Sequence, residues 1–93
     1  MHTVPAGQAL SNLSSLRGWQ VESGQLVKTF QFDSFPAAVR FVNRIATLAE
    51  DSGHHPEIDI RYNRVRLGLI THDADGLTQK DFDLAAGAER LAK

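Results

Sequence analysis

The sequence predicts an α+β domain: a four-stranded antiparallel sheet with three helices packed on one face, in the order α-β-β-α-β-β-α. Three observations carry this. Two pairs of alternating segments are each joined by residues that favour tight turns, so each pair reads as a hairpin. Between the hairpins, Phe35, Ala38, Val42, Ile45 and Ala49 fall at i, i+3, i+7, i+10 and i+14, the spacing of one helix face. Shorter runs of helical spacing precede and follow this β-β-α-β-β core, and segregated hairpins leave the helices together on one side of the sheet.

Taken in order, residues 1–7 carry Pro5 and Gly7, lack periodicity and read as a flexible tail. Ala9, Leu10, Leu13 and Leu16 recur at helical spacing, and Gly18 is placed to end that helix. Trp19 reads as a core anchor under the first strand, because large aromatics dominate small cores. Val21 and the stretch from Leu26 to Phe32 give two strands turned at Ser23-Gly24. Asp33 or Ser34 caps the central helix, and Pro36 sits in its first turn, where a missing N–H costs nothing. That helix runs from about Phe35 to Asp51 and stops at Gly53. Glu57–Tyr62 and Arg64–Leu69 then alternate about a turn centred near Asn63. Ile58, Ile60, Val65, Leu67 and Leu69 face the helices, while Glu57, Asp59, Arg61, Arg64 and Arg66 face water or a partner. After a turn at Ala74-Asp75-Gly76, the sequence Thr78-Gln79-Lys80-Asp81 has the form of a capping box. It opens a last helix whose apolar side is Phe82, Leu84, Ala85, Ala88 and Leu91.

Composition narrows the function classes. Ninety-three residues make one domain, 1–93. A net charge of -1 gives no general attraction to nucleic acid or to an anionic membrane. The chain has no cysteine, which excludes disulfides, thiolate nucleophiles and cysteine-ligated metals and fits a reducing cytoplasm. No apolar run approaches the roughly 20 residues of a membrane span, and the N-terminus lacks the pattern of a secretory signal. A cytoplasmic single-domain protein is the expectation.

Three of the four histidines lie in two short pieces, His54-His55-Pro56 and Thr71-His72-Asp73. With the second hairpin centred on Asn63, Glu57 faces Leu69, His54 comes opposite His72, and His55 lands by Thr71. Glu50, four residues before His54, stands on the last turn of the central helix with its carboxylate directed to the same spot. Histidine changes charge near neutral pH without large perturbation, so a pair can give a proton at one substrate atom and take one at another. Glu50 or Asp81 can hold one imidazole in a chosen tautomer. Other readings stand beside this one. Adjacent histidines after a helix can cap its carbonyls, three histidines with a carboxylate can bind zinc, Asp81 can serve only as a cap and Glu50 only as a solvated helix end. His2 lies in the tail and carries no signal.

These residues satisfy a longer spacing rule. Glu50 is followed after three residues by His54-His55-Pro56, after five more by Tyr62, after nine by His72, and after eight by Asp81. In this the chain resembles the pterin-4a-carbinolamine dehydratases, also called 4a-hydroxytetrahydrobiopterin dehydratases. Thr71-His72, Gly76-Leu77-Thr78 and Gly18-Trp19 fit the same family, and the resemblance runs from about Leu10 to the C-terminus. It implies the four-stranded, three-helix fold and a catalytic set of His54, His55 and His72. It also implies a pterin held by Glu50, Gly53, Pro56, Thr71, Asp73 and Asp81. The implied reaction is loss of water from a 4a-hydroxytetrahydropterin to give a quinonoid dihydropterin, in tetrahydropterin recycling, with no metal or organic cofactor. Homodimers or homotetramers are implied as well. The chain departs from many members at Ile58, where an aromatic is common, and at Gly53, where an acidic or polar residue is. Both departures bear on the pocket edge and leave the proton-transfer groups untouched. The alternative is a non-catalytic dehydratase-like interaction protein, acting as a dimerisation cofactor or an assembly factor.

Overall fold

Turn chemistry sets the strand pairing. The structure is a computed structural model and describes Thr3, Leu13 and residues 16–92. Strands β1 (Gln20–Glu22) and β2 (Gln25–Gln31) pair antiparallel across Ser23 and Gly24, which take φ of 52° and 78°. Two successive positive φ values are what a two-residue hairpin turn requires. Strands β3 (Glu57–Arg61) and β4 (Arg64–Leu69) pair across Tyr62 and Asn63, with Tyr62 at φ 53°. The two hairpins join through β2 and β4, giving the antiparallel order β1-β2-β4-β3. The central strands β2 and β4 supply the buried face, while β1 and β3 form the edges.

Helix α1 (Phe35–Ser52) lies between the hairpins. Ser34 is the N-cap, its hydroxyl accepting from Ala37 N–H at 3.2 Å. At the other end Gly53 takes φ 65°, its N–H donating to Glu50 O and that of His54 to Ala49 O at 3.1 Å. This is a Schellman ending, which favours glycine because a side chain is strained in the left-handed region. Helix α2 (Gln79–Leu91) begins at N-cap Thr78 and forms the expected capping box with Asp81.

One apolar core joins these elements. Leu26 and Phe30 of β2 and Val65, Leu67 and Leu69 of β4 meet Ala38, Phe41 and Ile45 of α1 and Phe82, Ala85 and Ala88 of α2. Phe41, Leu26, Ile45 and Leu67 are fully buried, each worth roughly 1.5–3 kcal/mol of transfer energy. Phe30 and Phe32 both pack on the Phe41 ring at 4.9 Å between centroids, and Trp19 meets Phe30 edge-on at 5.9 Å. Trp19 is a buried anchor, as its sequence position suggested, and its indole N–H donates to Glu89 Oε1 at 2.8 Å. The same carboxylate pairs with Lys28 Nζ, so the end of α2 is tied to β2.

Three expectations are corrected. The predicted fold had three helices in the order α-β-β-α-β-β-α; the described residues form a four-stranded antiparallel sheet with two helices, in the order β-β-α-β-β-α. The helix predicted through Ala9, Leu10, Leu13 and Leu16 lies outside the described residues except at Leu13 and Leu16, as does the predicted tail except at Thr3. The second hairpin is closed by two residues, not centred on one. Glu57 therefore pairs with Gly68, one position from the predicted Leu69. Lastly, Ile58 and Ile60 share the core face of the sheet yet remain 39% exposed each, because they sit on an edge strand that the helices do not cover.

Candidate active site

Three chain ends converge to form the site. The Schellman ending of α1 delivers Gly53, His54 and His55 in that order. The end of β4 delivers Ile70 and Thr71, and the chain then coils into a short 3-10 helix, His72–Ala74. Thr71 and Gly76 exchange backbone bonds at 3.0 and 3.4 Å, which closes this loop on itself and fixes His72 at its start. The first turn of α2 brings Lys80 and Asp81.

Between them lies a hollow of about 240 Å³. His54, His55 and His72 line it together with Gly53, Thr71 and Asp73, all six named from the sequence. Glu50, Pro56 and Asp81 do not line it. Ile70 and Lys80 do, and the sequence reading passed over both. Ile70 follows directly on the strand ending at Leu69 and has no polar group to single it out. Lys80 carried a signal that could have been used: a cation in the first turn of a helix, where carboxylates are favoured.

Asp81 stands behind the hollow. Its side chain is 0% exposed and is met by three donors, from Thr78, Thr71 and His54. Oδ2 takes the Thr78 backbone N–H at 2.9 Å and the Thr71 hydroxyl at 2.8 Å. Since Thr71 donates to Asp81, the 2.7 Å contact between the two threonine hydroxyls runs from Thr78 to Thr71. Oδ1 lies 2.6 Å from His54 Nε2. A carboxylate only accepts, so Nε2 carries the proton and Nδ1 is the free nitrogen of the neutral ring. The His54 side chain is 11% exposed, so this pair is shielded from solvent. Burying a carboxylate is costly unless it is fully hydrogen-bonded, and here it is.

The second pair differs. His55 Nε2 contacts Glu50 Oε2, but the two side chains are 62% and 76% exposed. Exposed pairs of this kind contribute about 0–1 kcal/mol, so Glu50 biases the His55 tautomer without fixing the ring firmly. His72 is exposed and has no side-chain bond among the described residues. Among those residues, no group of three or more His, Asp or Glu side chains is arranged to hold a metal ion.

In this small α+β domain three imidazoles line one hollow, one of them held by a buried carboxylate, and these are groups that acid–base chemistry can use. Comparison with known proteins gives it a family. The sequence profile of the family described as Pterin 4 alpha carbinolamine dehydratase matches residues 3–91. The chain belongs to this family. A relative from Acidobacterium capsulatum, named "Putative pterin-4-alpha-carbinolamine dehydratase", is 57% identical over 79 residues, covering 85% of this chain and 86% of the relative. One of the same name from Chloroflexus aurantiacus is 50% identical over 91 residues, 98% of each chain. Among solved structures, a transcriptional coactivator/pterin dehydratase from Brucella melitensis superposes with a TM-score of 0.94 at 32% identity, covering 99% of this chain and 100% of the other. A pterin dehydratase-like protein identified as a RuBisCO assembly factor in the alpha-carboxysome superposes at 0.67, with 27% identity over 80% of this chain and 86% of the other.

Proposed function

We propose that this protein is a 4a-hydroxytetrahydropterin dehydratase, a hydro-lyase working by histidine acid–base catalysis. The observation that carries the reading is the His54–Asp81 pair, directed at a hollow that His55 and His72 also line. Dehydration needs a proton delivered to the 4a-hydroxyl as the C4a–O bond breaks, and a proton taken from N5 as the N5=C4a double bond forms. The departing group leaves as water, the product is the quinonoid dihydropterin, and one imidazolium and one neutral imidazole exchange roles.

His54 and His72 are assigned the proton transfers, and His55 mainly binds and orients. Asp81 is a positioning residue that fixes the His54 tautomer and ring orientation. Thr71, Asp73 and Gly53 contribute to the walls that hold the pterin. Steady-state dehydration of a 4a-hydroxytetrahydropterin tests the proposal; a folded protein that leaves the spontaneous rate unchanged overturns it.

The protein acts in this reading as a homo-oligomer. Strand β3 is an edge strand that carries Ile58 and Ile60 half-exposed, with exposed Phe35 and Tyr62 as further apolar surface. In a hairpin closed by two residues, the pairs flanking the turn bond to each other, so the backbone groups of Ile58 and Ile60 face the open edge. A second copy laid antiparallel about Ile60 sets Asp59 against the copy's Arg61 and satisfies both. Such an edge also suits a different protein partner. The coactivator and assembly-factor relatives make that the second reading, and a protein without dehydratase activity that retains this surface would favour it.

A further inference from the structure

His54 borders two hollows. Besides the histidine site, a second hollow of about 260 Å³ opens between the C-terminal turns of α1 and the first turns of α2. Leu48 and Leu84 give it an apolar wall, and Ser52 and Asp83 stand with Lys80 and His54 around it. Among the described residues, only His54 and Lys80 line both hollows. His54 and Lys80 thus form the wall that the two adjacent hollows share.

Two features make this junction more than a surface dent. Lys80 is the second residue of α2, at the positive end of the helix dipole and beside the imidazoles, where a cation is disfavoured. Among the described residues it forms no ion pair that would offset this. A residue set against its local electrostatics is the kind that function explains better than folding. Size is the second feature. Pockets that bury a small organic ligand run from roughly 300 to 1,000 Å³. The histidine hollow alone falls short of that range, and the two adjacent hollows taken together fall inside it.

We infer that the second hollow is a subsite for the substituent on the pterin ring, with Lys80 as its specificity-determining residue. This rests on the dehydratase reading for the ring itself. The bicyclic ring lies among the three histidines, and a hydroxylated side chain on C6 passes between His54 and Lys80. Its carbon chain rests on Leu48 and Leu84. Its hydroxyls accept from Lys80 Nζ and donate to Asp83, whose Oδ1 already takes the Gln79 amide at 3.0 Å while Oδ2 has no partner among the described residues. The Ser52 hydroxyl donates to Leu48 O at 2.7 Å and keeps its lone pairs for the ligand.

The test is equilibrium binding of two stable probes, 6-(1,2-dihydroxypropyl)-7,8-dihydropterin and 6-methyl-7,8-dihydropterin. Wild type is expected to bind the first about 10-fold more tightly, the size of one hydrogen bond to a charged group. Lys80→Met and Ser52→Trp, both at exposed positions, are each expected to remove that preference, and Lys80→Arg to retain most of it. No preference in wild type, equal weakening of both probes by Lys80→Met, or binding of neither probe overturns the subsite. Dehydration of a 4a-hydroxy-6-methyltetrahydropterin is measured alongside. Activity without side-chain preference sinks the subsite and leaves the dehydratase reading. The preference without activity does the reverse.

Discussion

The carboxylate of Asp81 and the imidazole of His54 meet at 2.6 Å across the seam between the two helices, and Asp81 makes all its other bonds to its own end of that seam. The pair couples a folding element, the cap of α2, to a chemical one. Substitutions at Asp81 should therefore separate two effects by their chemistry.

Asp81→Asn keeps an acceptor for Thr71 and Thr78 but turns an N–H toward His54 Nε2, which must then accept, so the ring proton moves to Nδ1. The variant is expected to fold, to lose about 1–3 kcal/mol of stability with its charge-assisted bonds, and to lose roughly 10²–10⁴ in kcat. Asp81→Ala orphans the Thr71 hydroxyl and the Thr78 N–H and should cost more stability than Asn. Thermal melts with steady-state rates check both; an Asn variant with wild-type kcat contradicts the positioning role.

The three histidines should not behave alike. His72→Ala is expected to lose roughly 10²–10⁴ in kcat, as removal of a proton-transfer group does. His55→Ala is expected to raise KM more than it lowers kcat, because its pairing with Glu50 is exposed and weakly fixed. Initial rates across a range of substrate concentrations distinguish them. An unchanged rate for His72→Ala would remove it from the mechanism.

Gly53→Ala probes the hinge that aims the histidines. A Cβ there meets nothing within 4 Å, so any effect comes from the backbone, which sits at φ 65°. Destabilisation of about 1 kcal/mol is expected from the left-handed conformation alone. A drop in kcat/KM should accompany it, since His54 and His55 follow directly. Chemical denaturation and activity measured on one preparation settle the point.

Far from the hollow, Glu89 receives both Trp19 Nε1 and Lys28 Nζ. Glu89→Ala leaves a buried indole N–H without a partner and should cost about 1–3 kcal/mol. For a domain of this size that corresponds to a fall in Tm of several degrees, with kcat unaffected per folded molecule. Scanning calorimetry reads the first and titrated activity the second.

The edge of the sheet gives a prediction about assembly. Replacing Ile58 and Ile60 together with Lys puts charge on an edge strand whose outer side pairs with no described strand, and charge is a usual means by which sheets block association. Light scattering is expected to show the double variant as a monomer and the wild type as an oligomer. A wild-type monomer at micromolar concentration would refute the edge-pairing proposal.

Much of this was legible in the residues. The periodic stretch from Phe35 to Ala49 and the glycine after it marked α1 to within a residue, because helix spacing, a serine cap and a left-handed stop are all local signals. The strands were legible for the same reason. Register was harder: whether Asn63 alone or Tyr62 with Asn63 makes the turn depends on which residue takes positive φ, and it is Tyr62, a residue with no such preference. Exposure at Ile58 and Ile60 was hidden because alternation tells which face a side chain is on, not whether that face is covered there. At the site, the clustering of His54, His55 and His72 followed from spacing. The division of labour between Asp81 and Glu50 did not, since both are carboxylates at plausible distances in sequence and only packing decides which becomes buried.

The closed run of donors from Thr78 to Thr71 to Asp81 bears on how such domains diverge. A carboxylate that secures a helix start as well as an imidazole would be retained by selection for folding even in a descendant that no longer turns over substrate. Its persistence is thus a poor marker of activity. His55 and His72 carry no comparable structural duty, and in a lineage that kept the scaffold for recruitment of partners alone they are the positions expected to drift first.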